Sequence, residues 1–379
     1  MRTQFRKSQR TMLDLRYDKR RHVSHQIYNH NVIPPFCNTH TNSDSSNDPT
    51  ENTECGNGIP NSVSASKDQV HGFSTELHGK MYYTMNWAYI DEDTYVMRLT
   101  CFPPNSIVQT FRADPHMFVK TPSEKFDSYI VRVHDRKEVT FCQPVIDGSH
   151  KISPNGFEDP RLFAYRNKSY VICSFRGTFR RKTRHWQVIY EVNKPDEYWV
   201  CPGLMSIEKN WTPFEHEGKL LCVYMISPHK ICELKFDNNN MFEIEILHST
   251  VPRIVLEYKF NQVGGGAPPI FVPGLDSYMS IAHWKVNRDV SRNSVQYYNF
   301  AYIFEKMPPF SITNLTILSA QTPCLIEFMT GIQMTDYEFI VSTGIDDSRS
   351  VLCRFNRRTL SNSLRLDTVI RHELKSGKA

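Results

Sequence analysis

Two carboxylates and a guanidinium fall within four residues in Glu158-Asp159-Pro160-Arg161, between Gly156-Phe157 and the apolar pair Leu162-Phe163. Pro160 fixes the local backbone, so the charged groups stand at the entry to a strand. A plain turn carrying an acid–arginine pair uses the same residues. A second mixture, Glu208-Lys209-Asn210-Trp211-Thr212-Pro213-Phe214, brings acid, base, amide and indole together just before the apolar run 219–226. Sugar sites use such mixtures, stacking an aromatic ring on the pyranose and fixing hydroxyls with charged groups; a loop around one buried Trp is the alternative. Residues 176–184 supply Arg176, Arg180, Arg181, Lys182 and Arg184. They either clamp the diphosphate of a sugar nucleotide or form a solvated hairpin. His283 and Trp284 end a strand-like run and either line a pocket or fill a core.

Standard cofactor chemistry finds no support. The run Gly264-Gly265-Gly266-Ala267-Pro268-Pro269 has neither G-x-G-x-x-G before a helix nor a following Gly-Lys-Ser/Thr, so it is no ordinary nucleotide cradle. H-E-x-x-H, paired His/Cys ligand spacing and a G-x-S-x-G elbow are all missing, and neither a metal nor a cofactor is expected. A net charge of +5 over 379 residues is too mild to imply nucleic-acid binding, while anionic small ligands remain compatible. The ten cysteines include no C-x-x-C pair and read as reduced, small hydrophobic residues.

The elements that must position these groups are short strands. Residues 1–75 read as a disordered tail, basic at first and then dominated by Asn, Ser, Thr, Asp and Gly from about residue 38, too poor in apolar groups to offset ordering entropy. Residues 76–370 form the domain, and 371–379 a C-terminal tail. Within the domain, β-rich runs such as 81–90, 95–102, 129–133, 169–175, 186–192, 219–226, 278–285, 297–304 and 351–355 are each closed by Pro, Gly, Asn or Asp, and helical periodicity is nearly absent. A sandwich, a barrel or a propeller fits; length favours a five-bladed β-propeller with blades of about 55 to 60 residues. No apolar run is long enough to span a membrane as a helix. The first 21 residues carry Arg2, Arg6, Lys7, Arg10, Arg16, Lys19, Arg20 and Arg21 with no apolar stretch, so a cytoplasmic protein is expected.

The E-D-P-R motif at 158–161, the Lys209-Asn210 segment, the glycine run at 264–269 and the late Gly344-Ile345-Asp346-Asp347-Ser348 run stand in the order found in a known family. The chain resembles the five-bladed β-propeller β-mannoside phosphorylases and hydrolases, and the related β-1,2-mannosyltransferases, over about residues 80–360. The resemblance implies that Asp159 is the proton donor to the glycosidic oxygen, acting through a sugar hydroxyl, with inversion at the anomeric carbon and no covalent intermediate. It further implies that Asn105, Ser106, Arg132 and Asp347 hold the mannosyl ring. Glu158, Arg161, Asn210, Trp211 and His283 complete the substrate site, and Lys209, His229 and Arg180 face a phosphate or nucleotide. Ser227 and Gln262 stand where the phosphorylases carry Arg and Lys. One remaining cation binds a phosphate dianion poorly. The expectation is therefore an inverting mannosyl or glycosyl transferase acting on a β-mannoside or other glycan, with a sugar nucleotide or sugar phosphate as partner. The alternatives are a phosphate-dependent β-mannoside phosphorylase, an inverting β-mannosidase using Glu208 or Glu215 to activate water, and an inactive glycan-binding propeller.

Overall fold

The computed structural model describes residues 62–68, 74–77, 80–89, 94–100, 128–134, 138–144, 146, 149–150, 156–179, 182–201, 210–252, 262–289, 294–319, 327–345 and 349–365. The chain is all-β with a β-propeller arrangement, as the strand runs predict. Two short strands come first, β1 (Ser62–Ser64) and β2 (Ser66–Asp68). The first sheet holds β3 (Ser74–Leu77), β4 (Lys80–Tyr89), β5 (Thr94–Thr100), β6 (Ser128–His134) and β7 (Glu138–Phe141). The second holds β8 (Ser149–His150), β9 (Phe157–Tyr165), β10 (Lys168–Phe179), β11 (Lys182–Glu191) and β12 (Lys194–Cys201). The third is β13 (Thr212–His216), β14 (Lys219–Met225), β15 (His229–Phe236) and β16 (Phe242–Thr250). The fourth contains β17 (Gln262–Gly265), β18 (Ile270–Val272), β19 (Ser277–Asp289), β20 (Ser294–Glu305) and β21 (Ile312–Ser319); the fifth contains β22 (Glu327–Met334), β23 (Glu338–Ile345) and β24 (Arg349–Asn356).

Two findings depart from the sequence reading. Strands β1 and β2 lie inside the stretch expected to be a tail: β1 pairs in parallel with β21, and β2 pairs antiparallel with β24. Edge pairing is a main-chain affair, so Ser-rich segments can join a sheet without an apolar pattern. The second is a helix, α1 (Arg357–Arg365), where no helical period was read. Asn356 accepts at Oδ1 from the Thr359 N–H at 3.0 Å, capping its first turn, and Leu360 and Leu364, four residues apart, are buried.

Apolar residues alternate along the strands, and each alternation feeds a core on either side of its sheet. Val171, Cys173 and Phe175 of β10 pack toward Val96 and Ile130 of the first sheet, whereas Ile172 packs toward Leu220 and Cys222 of the third. Leu221 and Val223 meet Ala282 and Tyr302 of the fourth sheet, whose Met279 and Ile281 meet Met329 and Val341 of the fifth. Ile340 and Leu352 then return to Tyr95, Met97 and Val131 of the first sheet. The tight turns follow the twist of the strands: Arg166-Asn167 between β9 and β10, and Glu217-Gly218 between β13 and β14, all have positive φ, as type I′ hairpins require. Six cysteines among the described residues are buried free thiols. No helix among the described residues is long and apolar enough to cross a membrane.

Candidate active site

Strand β9 packs against β4, β5 and β6 of the first sheet, β13 of the third and β22 of the fifth, so segments distant in sequence meet along it. Here the pairing with β10 slips: Glu158 is opposite Ser174 and Arg161 opposite Ile172, leaving Asp159 and Pro160 across from Cys173 alone. Two residues facing one is a β-bulge, which re-aims side chains. Asp159 adopts φ 52, a left-handed conformation costly for a residue with a side chain, and is 8% exposed.

Two residues on, the Arg161 guanidinium is buried, 3% exposed. Its Nε donates to the Gly266 carbonyl at 2.6 Å, and its Nη2 donates to Asn210 Oδ1 at 2.7 Å and to the Gly265 carbonyl at 3.2 Å. Nη1 donates to the carbonyl of Asp159 at 3.0 Å, and the guanidinium carbon lies 5.5 Å from the centre of the Phe328 ring. Burial brings its pKa down to about 10 while the Asp159 charge acts in the opposite direction, so Arg161 stays charged at neutral pH. Phe328 pairs across the ladder with Gly344 of the late motif. One side chain thus gathers the E-D-P-R motif, Asn210 and the glycine run, and touches the strand paired to the fourth segment.

The glycines are required by close approach. A Cβ on Gly265 would lie 2.3 Å from the Asn210 carbonyl oxygen, and one on Gly266 2.5 Å from that of Met329. A Cβ on Gly264 would lie 2.8 Å from the His283 ring. His283, buried at 1% exposure, has its ring centre 4.8 Å from that of Phe328. Asn210 itself has φ 72, the left-handed region that Asn tolerates better than most residues.

The structure therefore brings Glu158, Asp159, Arg161, Asn210 and His283 to one region. Trp211 is placed differently: it is 2% exposed, and its ring packs against Tyr224 at 5.4 Å and Phe242 at 6.3 Å, leaving no open face for a sugar. His229 is fully buried, donating from Nδ1 to the Phe310 carbonyl at 2.8 Å, with Phe304 5.2 Å away. Desolvation lowers its pKa to about 4, so it is a neutral core histidine rather than a phosphate ligand. Arg132 donates from Nη1 to Asn193 Oδ1 at 2.5 Å, beyond the end of β11. Glu158 is level with Ser174 and Gln187, while β11 runs on to Glu191, about 13 Å further at 3.3 Å per residue; Arg132 is anchored away from Asp159. Glu215 accepts from the Arg166 N–H at 2.7 Å, at the opposite end of β9 from Asp159. Asn105, Ser106, Arg180, Glu208, Lys209 and Asp347 lie outside the described residues.

Three neighbours escaped the sequence reading: Phe328, Glu327 and Asn299. Asn299, opposite His283 in the ladder, donates from Nδ2 to the Glu327 carbonyl at 3.0 Å and to its Oε1 at 3.2 Å. Their only sequence signals are a lone amide in Tyr297-Tyr298-Asn299-Phe300 and a lone acid in Leu325-Ile326-Glu327-Phe328.

No family model and no curated protein matches the sequence. The structural matches are to β-mannoside phosphorylases and hydrolases. The β-1,2-mannobiose phosphorylase of Listeria innocua, in complex with β-1,2-mannobiose, superposes with a TM-score of 0.48 at 15% identity, covering 76% of this chain and 94% of that one. A structure reported for the GH130 family, whose glycoside hydrolases target β-1,2 mannosidic linkages in Candida mannan, gives 0.49 at 11% identity, covering 78% and 97%. A mannose phosphorylase from Leishmania mexicana, in complex with phosphate ion, gives 0.44 at 15% identity, covering 74% and 86%.

Proposed function

We propose that this chain is a carbohydrate-active enzyme on a five-bladed propeller that transfers a mannosyl group from a β-mannoside or activated mannosyl donor with inversion, Asp159 supplying the proton to the leaving oxygen. Five sheets joined by five cores, the last returning to the first sheet, support the blade count. The observation that carries the function is the Arg161 hub: one buried cation ties the motifs of the sequence resemblance to the backbone of Asp159. A buried arginine with every bond directed at fixed acceptors is suited to holding a catalytic carboxyl in one geometry. In this reading Glu158 and Asn210 line the sugar site with Asn105, Ser106 and Asp347, while Lys209 and Arg180 face the phosphate or nucleotide of the donor, and His283, buried at 1% exposure, supports the site by packing on Phe328. Arg132, Trp211 and His229 keep structural roles. With His229 neutral and buried, free phosphate finds fewer cations than a phosphorylase needs, which favours transfer to another acceptor.

The test is turnover of β-1,2-manno-oligosaccharides with and without phosphate, of mannose-1-phosphate and of GDP-mannose, by the parent and by Asp159→Asn. The parent consumes at least one donor, and Asp159→Asn loses about 10²- to 10⁴-fold in rate, the span of general-acid catalysis. Undiminished turnover by Asp159→Asn removes Asp159 from its role. Intact glycan binding with no turnover of any donor by the parent makes the protein a binding propeller.

A further inference from the structure

We infer that Glu327 is the second carboxylate of this site, accepting the proton of an incoming hydroxyl acceptor; the inference rests on the reading of Asp159 as proton donor. Inverting transfer needs two groups, one protonating the leaving oxygen and one taking the proton of the attacking oxygen. The acids considered from the sequence do not supply the second among the described residues, because Glu215 is bound to the far turn of β9.

Glu327 opens the inner strand β22, as Asp159 stands near the start of β9, and β22 packs against β9. The next residue, Phe328, lies against both the Arg161 guanidinium and the His283 ring. Glu327 is half-buried, and its backbone and carboxylate are clamped together by one amide, Asn299 Nδ2. Asn299 is 2% exposed in a strand otherwise lined here by aromatic rings, and among the described residues its Oδ1 has no hydrogen-bond partner. A buried amide in such a place is costly unless its bonds are used. Here two of them fix the orientation of the Glu327 carboxylate, one residue before the Phe328 ring that packs on the hub.

In the transfer step the acceptor oxygen forms its bond to the anomeric carbon while its proton passes to Glu327, and the glycosidic bond breaks while Asp159 protonates the departing oxygen. Solvent exchange resets both carboxyls. A carboxylate in this role repels a phosphate dianion and accepts from an O–H group, so the acceptor class that follows is a sugar hydroxyl or water.

The deciding experiment measures donor consumption by the parent, Glu327→Gln, Glu327→Ala and Asp159→Asn, with mannose or water as acceptor, with and without phosphate, each variant being checked for the parent's near-UV circular dichroism. Glu327→Gln keeps the shape and loses about 10²- to 10⁴-fold in rate. Azide restores turnover to Glu327→Ala and yields the mannosyl azide of configuration opposite to the donor's, α from a β-mannoside, since an anion needs no base to attack. Parent turnover does not depend on phosphate. Turnover by Glu327→Gln within about twofold of the parent, alongside loss in Asp159→Asn, overturns the assignment of Glu327 and leaves the proposed function standing. An absolute requirement for phosphate also overturns it. A parent that consumes no donor overturns the proposed function and this assignment with it.

Discussion

Replacing Arg161 by Lys keeps the charge and removes the fork. The guanidinium serves acceptors at 2.6, 2.7, 3.0 and 3.2 Å: the carbonyls of Gly266, Asp159 and Gly265, and the amide oxygen of Asn210. These belong to separate segments, so a single ammonium at the tip of a shorter, unbranched chain reaches the acceptors on one side only. At least two are left without their donor, each at about 1–3 kcal/mol when buried, for a total of about 2–6 kcal/mol. That corresponds to roughly 30-fold to about 20,000-fold in the folding equilibrium at about 1.4 kcal/mol per decade. Urea unfolding followed by tryptophan fluorescence reads the loss as a lower midpoint at unchanged slope. Turnover falls further than the folded fraction does, because Asp159 loses the bond that fixes its carbonyl. A midpoint shift worth less than about 0.5 kcal/mol would refute the idea that this cation holds the segments together.

Acid sensitivity has an identifiable source in His229. Its pKa is about 4 when folded and about 6.5 when unfolded, so the buried neutral ring stabilises fully above pH 6.5, and that contribution is lost as pH falls toward 4. The amount is about 3 kcal/mol. His229→Asn retains an N–H for the Phe310 carbonyl, and its stability measured by urea titration between pH 7 and 4.5 falls less steeply than the parent's. Gly266→Ala drives a methyl to 2.5 Å from the Met329 carbonyl oxygen and 2.9 Å from that of Ile281; backbone on both sides cannot yield cheaply, and thermal unfolding shows a loss of about 1–3 kcal/mol or more. Glu217→Asn, at φ 50 before Gly218 at φ 76, installs the preferred Asn-Gly pair of a type I′ turn and raises stability by about 0.5–1 kcal/mol in the same assay.

The strand runs were legible because both faces of nearly every sheet are buried, which writes dense apolar and aromatic segments between turn residues. The segment 158–161 stood out for a different reason: charged residues at a strand entry contrast with that background. What stayed hidden depends on partners distant in sequence. Trp211 and His229 have the types that sugar and phosphate sites use, and it is partners distant in sequence, the Tyr224 and Phe242 rings for the former and the Phe304 ring and Phe310 carbonyl for the latter, that make them core residues. Arg132 is expected from the resemblance to hold a mannosyl ring, and nothing local says that its partner is Asn193, 61 residues on. The α1 signal consists of two leucines and one cap, too brief for a period to emerge. Strands β1 and β2 add main-chain pairing to sheet edges and leave almost no pattern in their side chains.

The composition of the hub also determines what pH can report. Three of the acceptors of Arg161 are backbone carbonyls and the fourth is an amide oxygen, none of which titrates, and the guanidinium remains protonated up to about pH 10. The hub therefore holds its geometry across the neutral range, while the His229 contribution to stability is complete above about pH 6.5. Between those limits neither the assembly of the site nor the stability of the fold changes through these groups. Rate changes measured in that window come from other titrating groups, so the difference between the parent profile and those of Asp159→Asn and Glu327→Gln tests the acid and base roles proposed for these two residues. Below pH 6.5 the same comparison mixes chemistry with unfolding unless it is made in the His229→Asn background, where the acid-sensitive contribution has been removed.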